Sequence, residues 1–514
     1  MDDIYDLFVI GGGVNGCGIA RDAAGRGLRV ALAEKGDLAG ATSSASTKLF
    51  HGGLRYLEYF EFRLVREALI ERERLLAAMP HIAWPMRFVL PLSSDMRFEG
   101  ETPTSRLLGL VMPWLKGRRP DWIIRLGLFL YDHMGGRKEL PATRVLNLAD
   151  DPAGAALKPE FRRAFEYSDV WVQDSRLVVL NARDAQAKGA RIMVRTRVTS
   201  ARRDGALWEV TTDQGIFHAR VLVNAAGPWV EQMLGQTGVN ATAKVRLVRG
   251  SHIVVPRIAD HDRSYFLQGA DGRIIFAIPY EQDFTLIGTT DMDHSDPDTS
   301  PELNRAERDY LLAFINRYVA HPLGPDDVVW SYSGVRPLYD DGANAAQAAT
   351  RDYVLTLDSA GPPILSVFGG KITTYRKLAE HALRKLTPFF PAMSEAWTAG
   401  ASLPGGDFPV NEVATRLSAL RADYPFLTPA QVQRMFRAYG TETRRVLGSA
   451  QSRADLGRDF GGDLSEAELR WMVTHEFARS AEDALWRRSK LGLTLTPEQI
   501  GEVENFLSET LAPA

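Results

Sequence analysis

A glycine cluster near the N-terminus sets the first chemical constraint. Gly11-Gly12-Gly13-Val14-Asn15-Gly16 follows the apolar run Tyr5, Leu7, Phe8, Val9 and Ile10 and leads into the helix-like Ile19-Ala20-Arg21-Asp22-Ala23-Ala24. A buried parallel strand that opens through glycines into a helix gathers backbone amides at the positive end of the helix dipole, where a pyrophosphate binds. Gly11 permits the tight turn, Gly13 allows close approach of the phosphates, and Gly16 lets helix and strand pack; Gly12 and Asn15 belong to the same cradle. A second apolar strand, Val30 to Ala33, ends at Glu34, placed to accept from a ribose 2'-hydroxyl. That carboxylate would repel a 2'-phosphate, which disfavours NADP and leaves NAD and FAD open.

The next segment separates those two. Thr42, Ser43, Ser44, Ser46, Thr47 and Lys48 form a small, hydroxyl-rich loop that leads to His51, Gly52, Gly53, Leu54, Arg55 and Tyr56. Small side chains allow close backbone approach, and hydroxyls and amides satisfy a ribityl chain and a flavin ring. The same composition also describes a solvated surface loop, but its position directly after the second strand favours FAD. The chain then returns to the cofactor. A β-rich segment ends at Val198, another runs through Val221–Val223 into Ala226 and Gly227, and a third meets Gly370, Lys371 and Thr373 before a helix over 373–386.

These pieces need a frame. A chain of 514 residues exceeds one hydrophobic core. The pattern predicts an α/β Rossmann-type FAD-binding domain built from 1–80, 165–244 and 338–390. A substrate-capping region with an antiparallel or mixed sheet follows from 81–164 and 245–337, and an all-helical domain from 400–514. Glu58 to Met79 reads as a charged surface helix. The lone Cys17 precludes an intrachain disulfide and reads as a small packing residue, in keeping with a reducing compartment. A formal charge of -3 argues against a nucleic-acid partner. No apolar stretch is long enough for a transmembrane span. The clusters Leu107–Leu115 and Trp122–Leu130, interrupted by Lys116, Arg118, Arg119 and Arg125, suit either shallow insertion into an anionic membrane surface or core helices with snorkelling arginines.

Several longer signatures carry a resemblance: GGGVNGCGIARDAAGRG (11–27), ATSSASTKLFHGGLRYLE (41–58), NAAGPWV (224–230), RGSHIVVP (249–256), IGTTD (287–291), YSGVRPL (332–338) and FGGKITTYRKLAEHAL (368–383). With them the whole chain resembles the FAD-dependent, quinone-linked glycerol-3-phosphate dehydrogenases of the glycine/D-amino-acid-oxidase-like flavoprotein group. The resemblance implies oxidation of sn-glycerol 3-phosphate, delivery of electrons to ubiquinone or menaquinone, and a homodimer held peripherally on the cytoplasmic face of the cell membrane.

It also implies roles. Such a reaction needs an anion clamp, a proton acceptor for the C2 hydroxyl and a path for hydride to the flavin. Arg336 is the first choice for the phosphate because its planar fork matches phosphate geometry; Arg55 is the second cation, and Lys371 contacts substrate or the reduced flavin. His252 and His51 are both candidate bases, with His252 preferred because it comes from the substrate sheet. Tyr56 orients substrate and Thr290 contacts its hydroxyls. An oxygen-reducing glycerol-3-phosphate oxidase, an amino-acid oxidase and a non-enzymatic flavin-bearing module remain open as alternatives.

Overall fold

The computed structural model describes residues 4–93, 96–98, 102–112, 114, 119–239, 243–269, 271–340 and 352–512. Its first sheet places Ile4–Ile10 between Gly215–Asn224 and Val30–Ala33, all parallel, with Ile364–Phe368 and Arg191–Met193 continuing the parallel array on either side. Leu7, Phe8 and Val9 are fully buried, so the first strand is apolar on both faces, as a covered parallel strand requires. The helices Val14–Gly25, Asp174–Ala187 and Tyr375–Leu386 pack together over it.

The second sheet has ten strands, and His252 and Arg336 lie on neighbouring ones. Val245–Pro256 pairs antiparallel with Trp330–Tyr339, setting His252 opposite Tyr332 and Val248 opposite Arg336. One pairing, Ser264–Gln268 with Ala83–Pro91, is parallel, so the capping sheet is mixed. Two expected boundaries move. Arg163–Val172 pairs with Ala83–Pro91 and with Leu49–Phe50, so 165–172, and the two-residue strand at 49–50, belong to the capping sheet rather than the nucleotide domain. The chain crosses back only at Asp174.

Phe62–Ala78 is also not the surface helix that its charges predict. Glu71, Arg72 and Glu73 are buried, with Arg72 on Asp169 at 2.7 Å and Glu71 held by both arms of Arg376 at 2.6 and 2.7 Å. Burying Glu71 and Arg72 is tolerated because each has an oppositely charged, hydrogen-bonded partner, while Glu73 accepts from the Lys138 and Glu139 backbone amides. From 413 onward the chain is predominantly helical, with Pro429–Tyr439 among its helices, and a final helix, Pro497–Leu511, closes the domain.

Candidate functional site

A cavity of about 1290 Å³ opens between the two sheets. The glycine turn lines one end. Gly11 sits at φ +110°, and a Cβ there would lie 2.5 Å from the Ala225 carbonyl oxygen. Gly16 lies under the turn, where a Cβ would come within 1.9 Å of the Gly11 oxygen; it supports the cradle from below rather than lining it. Gly16→Ala forces strand and helix apart, an overpacking cost of about 1–3 kcal/mol. FAD affinity should fall by roughly 10- to 100-fold. Flavin fluorescence during reconstitution of the apoprotein measures it.

Glu34 lines the same end. Its carboxylate accepts from the Gly12 amide at 2.7 Å and the Gly36 amide at 2.8 Å. Burial pushes its pKa up, and those two amides oppose the shift. With two donors fixing its orientation, further lone pairs remain for a ribose hydroxyl. Asn15 joins distant segments: its amide donates to the Gly369 oxygen at 3.2 Å, across 354 residues of sequence. Its buried Oδ1 has no hydrogen-bond partner among the described residues, which leaves an acceptor for a bound ligand beside the pyrophosphate cradle. Glycine cradle, oriented acid and orphaned acceptor together fit FAD.

The hydroxyl-rich loop divides into wall and foundation. Thr42, Ser43, Ser46 and Thr47 line the cavity, as do His51, Gly53 and Leu54, and the returning Val198, Ala226, Gly227, Gly370, Lys371 and Thr373. Ser43 accepts from the Val14 amide at 3.0 Å, fixing the loop to the helix start. Gly12, Ser44, Lys48 and Gly52 lie outside the lining, contrary to the direct cofactor contact expected of them. Lys48 is buried beneath the loop, its ammonium on both oxygens of Asp174 at 2.8 and 2.9 Å. The Gly52 amide donates to the Tyr131 hydroxyl at 2.6 Å. Cys17 is fully buried and burial pushes its thiol up, as a packing role requires.

Five of the residues expected to meet substrate, Arg55, Tyr56, His252, Arg336 and Lys371, line the same cavity, and the Lys371 ammonium lies 4.3 Å over the Tyr56 ring. Arg336 crosses the Gly250 backbone, where a Cβ would meet its guanidinium at 2.1 Å. It pairs with Asp291 at 2.8 Å and donates to the Thr290 oxygen at 2.8 Å. Thr290 itself faces away. Its buried hydroxyl donates to Glu307 at 2.8 Å and accepts from the Ser251 amide at 2.9 Å, so the expected contact of this hydroxyl with substrate is replaced by a supporting role behind the wall. Thr289 lines the cavity instead, together with Arg273, Phe266 and Phe276. Phe266 and Phe276 reach the cavity through the pairing of their strands, and Thr289 and Arg273 stand at strand ends, positions that local spacing does not mark as site residues.

His252 is buried between elements. Its Nε2 lies 3.0 Å from the Thr47 hydroxyl, its ring stacks on Tyr332 at 4.7 Å, and its Nδ1 has no hydrogen-bond partner among the described residues. Burial, and then the charges of Lys48 and Arg336, hold its pKa well below the usual imidazole value. The ring is therefore neutral at pH 7 and able to accept a proton. Buried imidazole, neighbouring guanidinium and hydroxyl-lined loop form a site for oxidising an alcohol that carries an anion.

Residues 6–376 match the family described as FAD dependent oxidoreductase, and residues 396–511 match the C-terminal domain of alpha-glycerophosphate oxidase. The chain is 51% identical to the D-erythritol 1-phosphate dehydrogenase of Brucella abortus, over 98% of this chain and 97% of the relative. It is 48% identical to the aerobic glycerol-3-phosphate dehydrogenase of Escherichia coli, over 98% of this chain and 97% of the relative. Among solved structures, the glycerol-3-phosphate dehydrogenase from Bacillus halodurans complexed with FAD superposes with a TM-score of 0.71 at 25% identity, covering 99% of this chain and 94% of that one.

Proposed function

We propose, from the premise that the chain belongs to the FAD dependent oxidoreductase family and within it to the glycerol-3-phosphate dehydrogenases, that it oxidises sn-glycerol 3-phosphate to dihydroxyacetone phosphate and passes the electrons to a membrane quinone. The observation that carries this reading is the placement of Arg336 and the neutral His252 on adjacent strands over one cavity. When bound, FAD supplies the hydride acceptor.

The protein's own residues do the rest. Arg336 exchanges Asp291 for the substrate phosphate, a bidentate fit, with Arg55 as the second cation. His252 takes the C2 hydroxyl proton as the C2 hydride leaves with its electron pair and the carbonyl forms, while Thr47 and Tyr332 hold the imidazole. Lys371 supports the charge that develops beside the flavin. His51, on the flavin-side loop, is the alternative base.

Anaerobic mixing of FAD-loaded protein with sn-glycerol 3-phosphate, then with quinone, tests both half-reactions. Stereospecific bleaching and quinone-dependent recovery are expected. Recovery by oxygen alone with stoichiometric peroxide would identify an oxidase, and bleaching by an amino acid alone would reject the substrate. The high identity to a D-erythritol 1-phosphate dehydrogenase favours a longer polyol phosphate as the second reading, and faster bleaching by that compound would select it.

The membrane part of the proposal rests on two amphipathic helices. Pro103–Val111 and Asp121–Met134 expose Leu107, Leu110, Val111, Trp122, Leu126 and Phe129, with Trp114 between them. Ile124, Leu128 and Tyr131 turn inward, so the second helix is core on one face and apolar surface on the other. Among the described residues no helix is long and apolar enough to cross a membrane; this surface supports insertion from one side. Arg106 and Arg125 are exposed there. Arg119 is instead tied to Glu58 and Gln268, and Leu115, Lys116 and Arg118 lie outside the described residues. Gly127 approaches Leu54, a cavity residue, at 3.9 Å from its Cβ position, so the apolar surface lies close behind the flavin loop, where a quinone must arrive. Residence on the cytoplasmic face and assembly as a homodimer are further parts of this proposal.

Changing Leu110, Trp114 and Phe129 together to Ser should weaken binding to anionic liposomes at least about 100-fold, given roughly 1.5–3 kcal/mol per buried large apolar side chain. Flotation assays measure it, and unchanged thermal unfolding shows that the fold survives.

A further inference from the structure

The adenosine end of the cavity is closed by the C-terminal helical domain. Ser480, Glu482, Asp483 and Arg487 line the cavity together with Glu34–Asp37 and Arg195–Thr199. They come from the π-helix Asp483–Arg488 and the residues leading into it, and interruptions of this kind in α-helical structure often mark functional positions.

That closure is latched by charge. Asp37, three residues after the ribose-facing Glu34, is buried and receives two arginines from the other domain. Arg488, fully buried, forms a two-armed pair with it at 2.7 and 2.7 Å, and Arg487 Nε donates to it at 2.5 Å. Arg487 also reaches Asp483 at 2.6 Å, and Asp483 pairs with Arg195 at 2.9 Å. Arg195 in turn donates its amide to the Gly36 oxygen at 2.8 Å, and the Thr196 amide donates to the Glu34 oxygen at 2.8 Å. The loop that orients Glu34 is thus held from both sides by one ionic junction with residues 483–488. Buried arginine–carboxylate pairs are sensitive to geometry, because loss of one partner leaves the other charged and dry.

We propose that the C-terminal domain is a structural part of the FAD site, its 480–488 segment clamping the adenosine half through Asp37, so that cofactor binding and docking of that domain stabilise each other. Linkage makes the effect reciprocal: whatever docking adds to FAD affinity, FAD adds to docking. Residues 487 and 488 act by positioning the loop and closing the wall; they perform no chemistry. The inference depends on FAD as the ligand and not on the identity of the substrate, so failure of the substrate proposal leaves it standing.

Hydrogen–deuterium exchange of the wild-type protein with and without FAD tests the linkage directly. FAD should slow exchange over 480–491 by at least tenfold as well as over the glycine turn 11–16. Protection at 11–16 without protection at 480–491 would overturn the proposal. Independently, Arg487→Gln should weaken FAD binding at least tenfold in fluorescence titrations of the apoprotein. A folded Arg487→Gln protein binding FAD within twofold of wild type would also overturn it. If that variant does not fold, the exchange measurement decides.

Discussion

Arg336→Gln should lower kcat/KM for sn-glycerol 3-phosphate by about 10³-fold, since removing one partner of a desolvated charged pair costs roughly 2–5 kcal/mol. The loss should appear mainly in substrate binding and orientation, with FAD content unchanged. Arg336 sits on the capping sheet, where it donates to the Thr290 oxygen and pairs with Asp291. In the free protein Asp291 stands where an anion is wanted, at 2.8 Å from the guanidinium. Substrate phosphate must therefore compete with, or push aside, a resident carboxylate. Asp291→Asn removes that competitor, but it also removes the group that holds the guanidinium over Gly250. Steady-state kinetics with glycerol as a comparison substrate separates the two effects. Arg336→Gln should leave whatever turnover glycerol supports, having no phosphate, nearly unchanged. Equal losses with both substrates would show that Arg336 only supports the wall.

The parts of this site legible in the sequence are those whose chemistry is local. The strand–glycine–helix turn, Glu34 at the end of the second strand and the Gly369-Gly370 return each sit in a short pattern with its own physical reason, and the Asn15–Gly369 contact joins two of them. His252 and Arg336 needed the longer resemblance, because a histidine in a strand and an arginine before a proline have ordinary structural uses. What escaped the sequence depends on partners far along the chain. Lys48 looked like a cofactor contact until Asp174, 126 residues away, took its ammonium. Thr290 looked like a substrate contact until Glu307 and the Ser251 amide claimed its hydroxyl. Glu71, Arg72 and Glu73 made a helix look solvated because no local pattern reveals Arg376 or Asp169. Residues 165–172, expected in the nucleotide domain, lie in the capping sheet for the same reason, since which neighbours a strand joins is decided by pairing. The Asp37 junction is the extreme case, joining residues 450 and 451 positions apart.

His252→Gln should slow reduction of the bound flavin by about 10²–10⁴-fold, the usual contribution of a positioned general base, while FAD stays bound. Glutamine keeps a polar group near the Thr47 hydroxyl, so the cavity wall need not collapse, but it cannot take the proton. The pH dependence distinguishes this from a packing defect. Burial, Lys48 and Arg336 all depress the His252 pKa, so at saturating substrate the wild-type reduction rate should hold steady as pH falls through 6.5 and decline only below it. Bound phosphate offsets part of the Arg336 charge, which moves that limb toward the ordinary imidazole range without carrying it above. In His252→Gln the limb should vanish from a uniformly slow profile. Stability should respond in the matching sense. Below about 6.5 the unfolded chain takes up a proton that the buried imidazole refuses. The wild type therefore loses stability as pH falls from 6.5 toward the folded pKa, and His252→Gln, with nothing to titrate there, should lose less over that window in thermal unfolding. His51→Gln is the control for the competing assignment. If it abolishes the low-pH limb while His252→Gln retains it, proton removal belongs to the flavin-side loop, and His252 serves only to pack Tyr332 and Thr47 against the cavity.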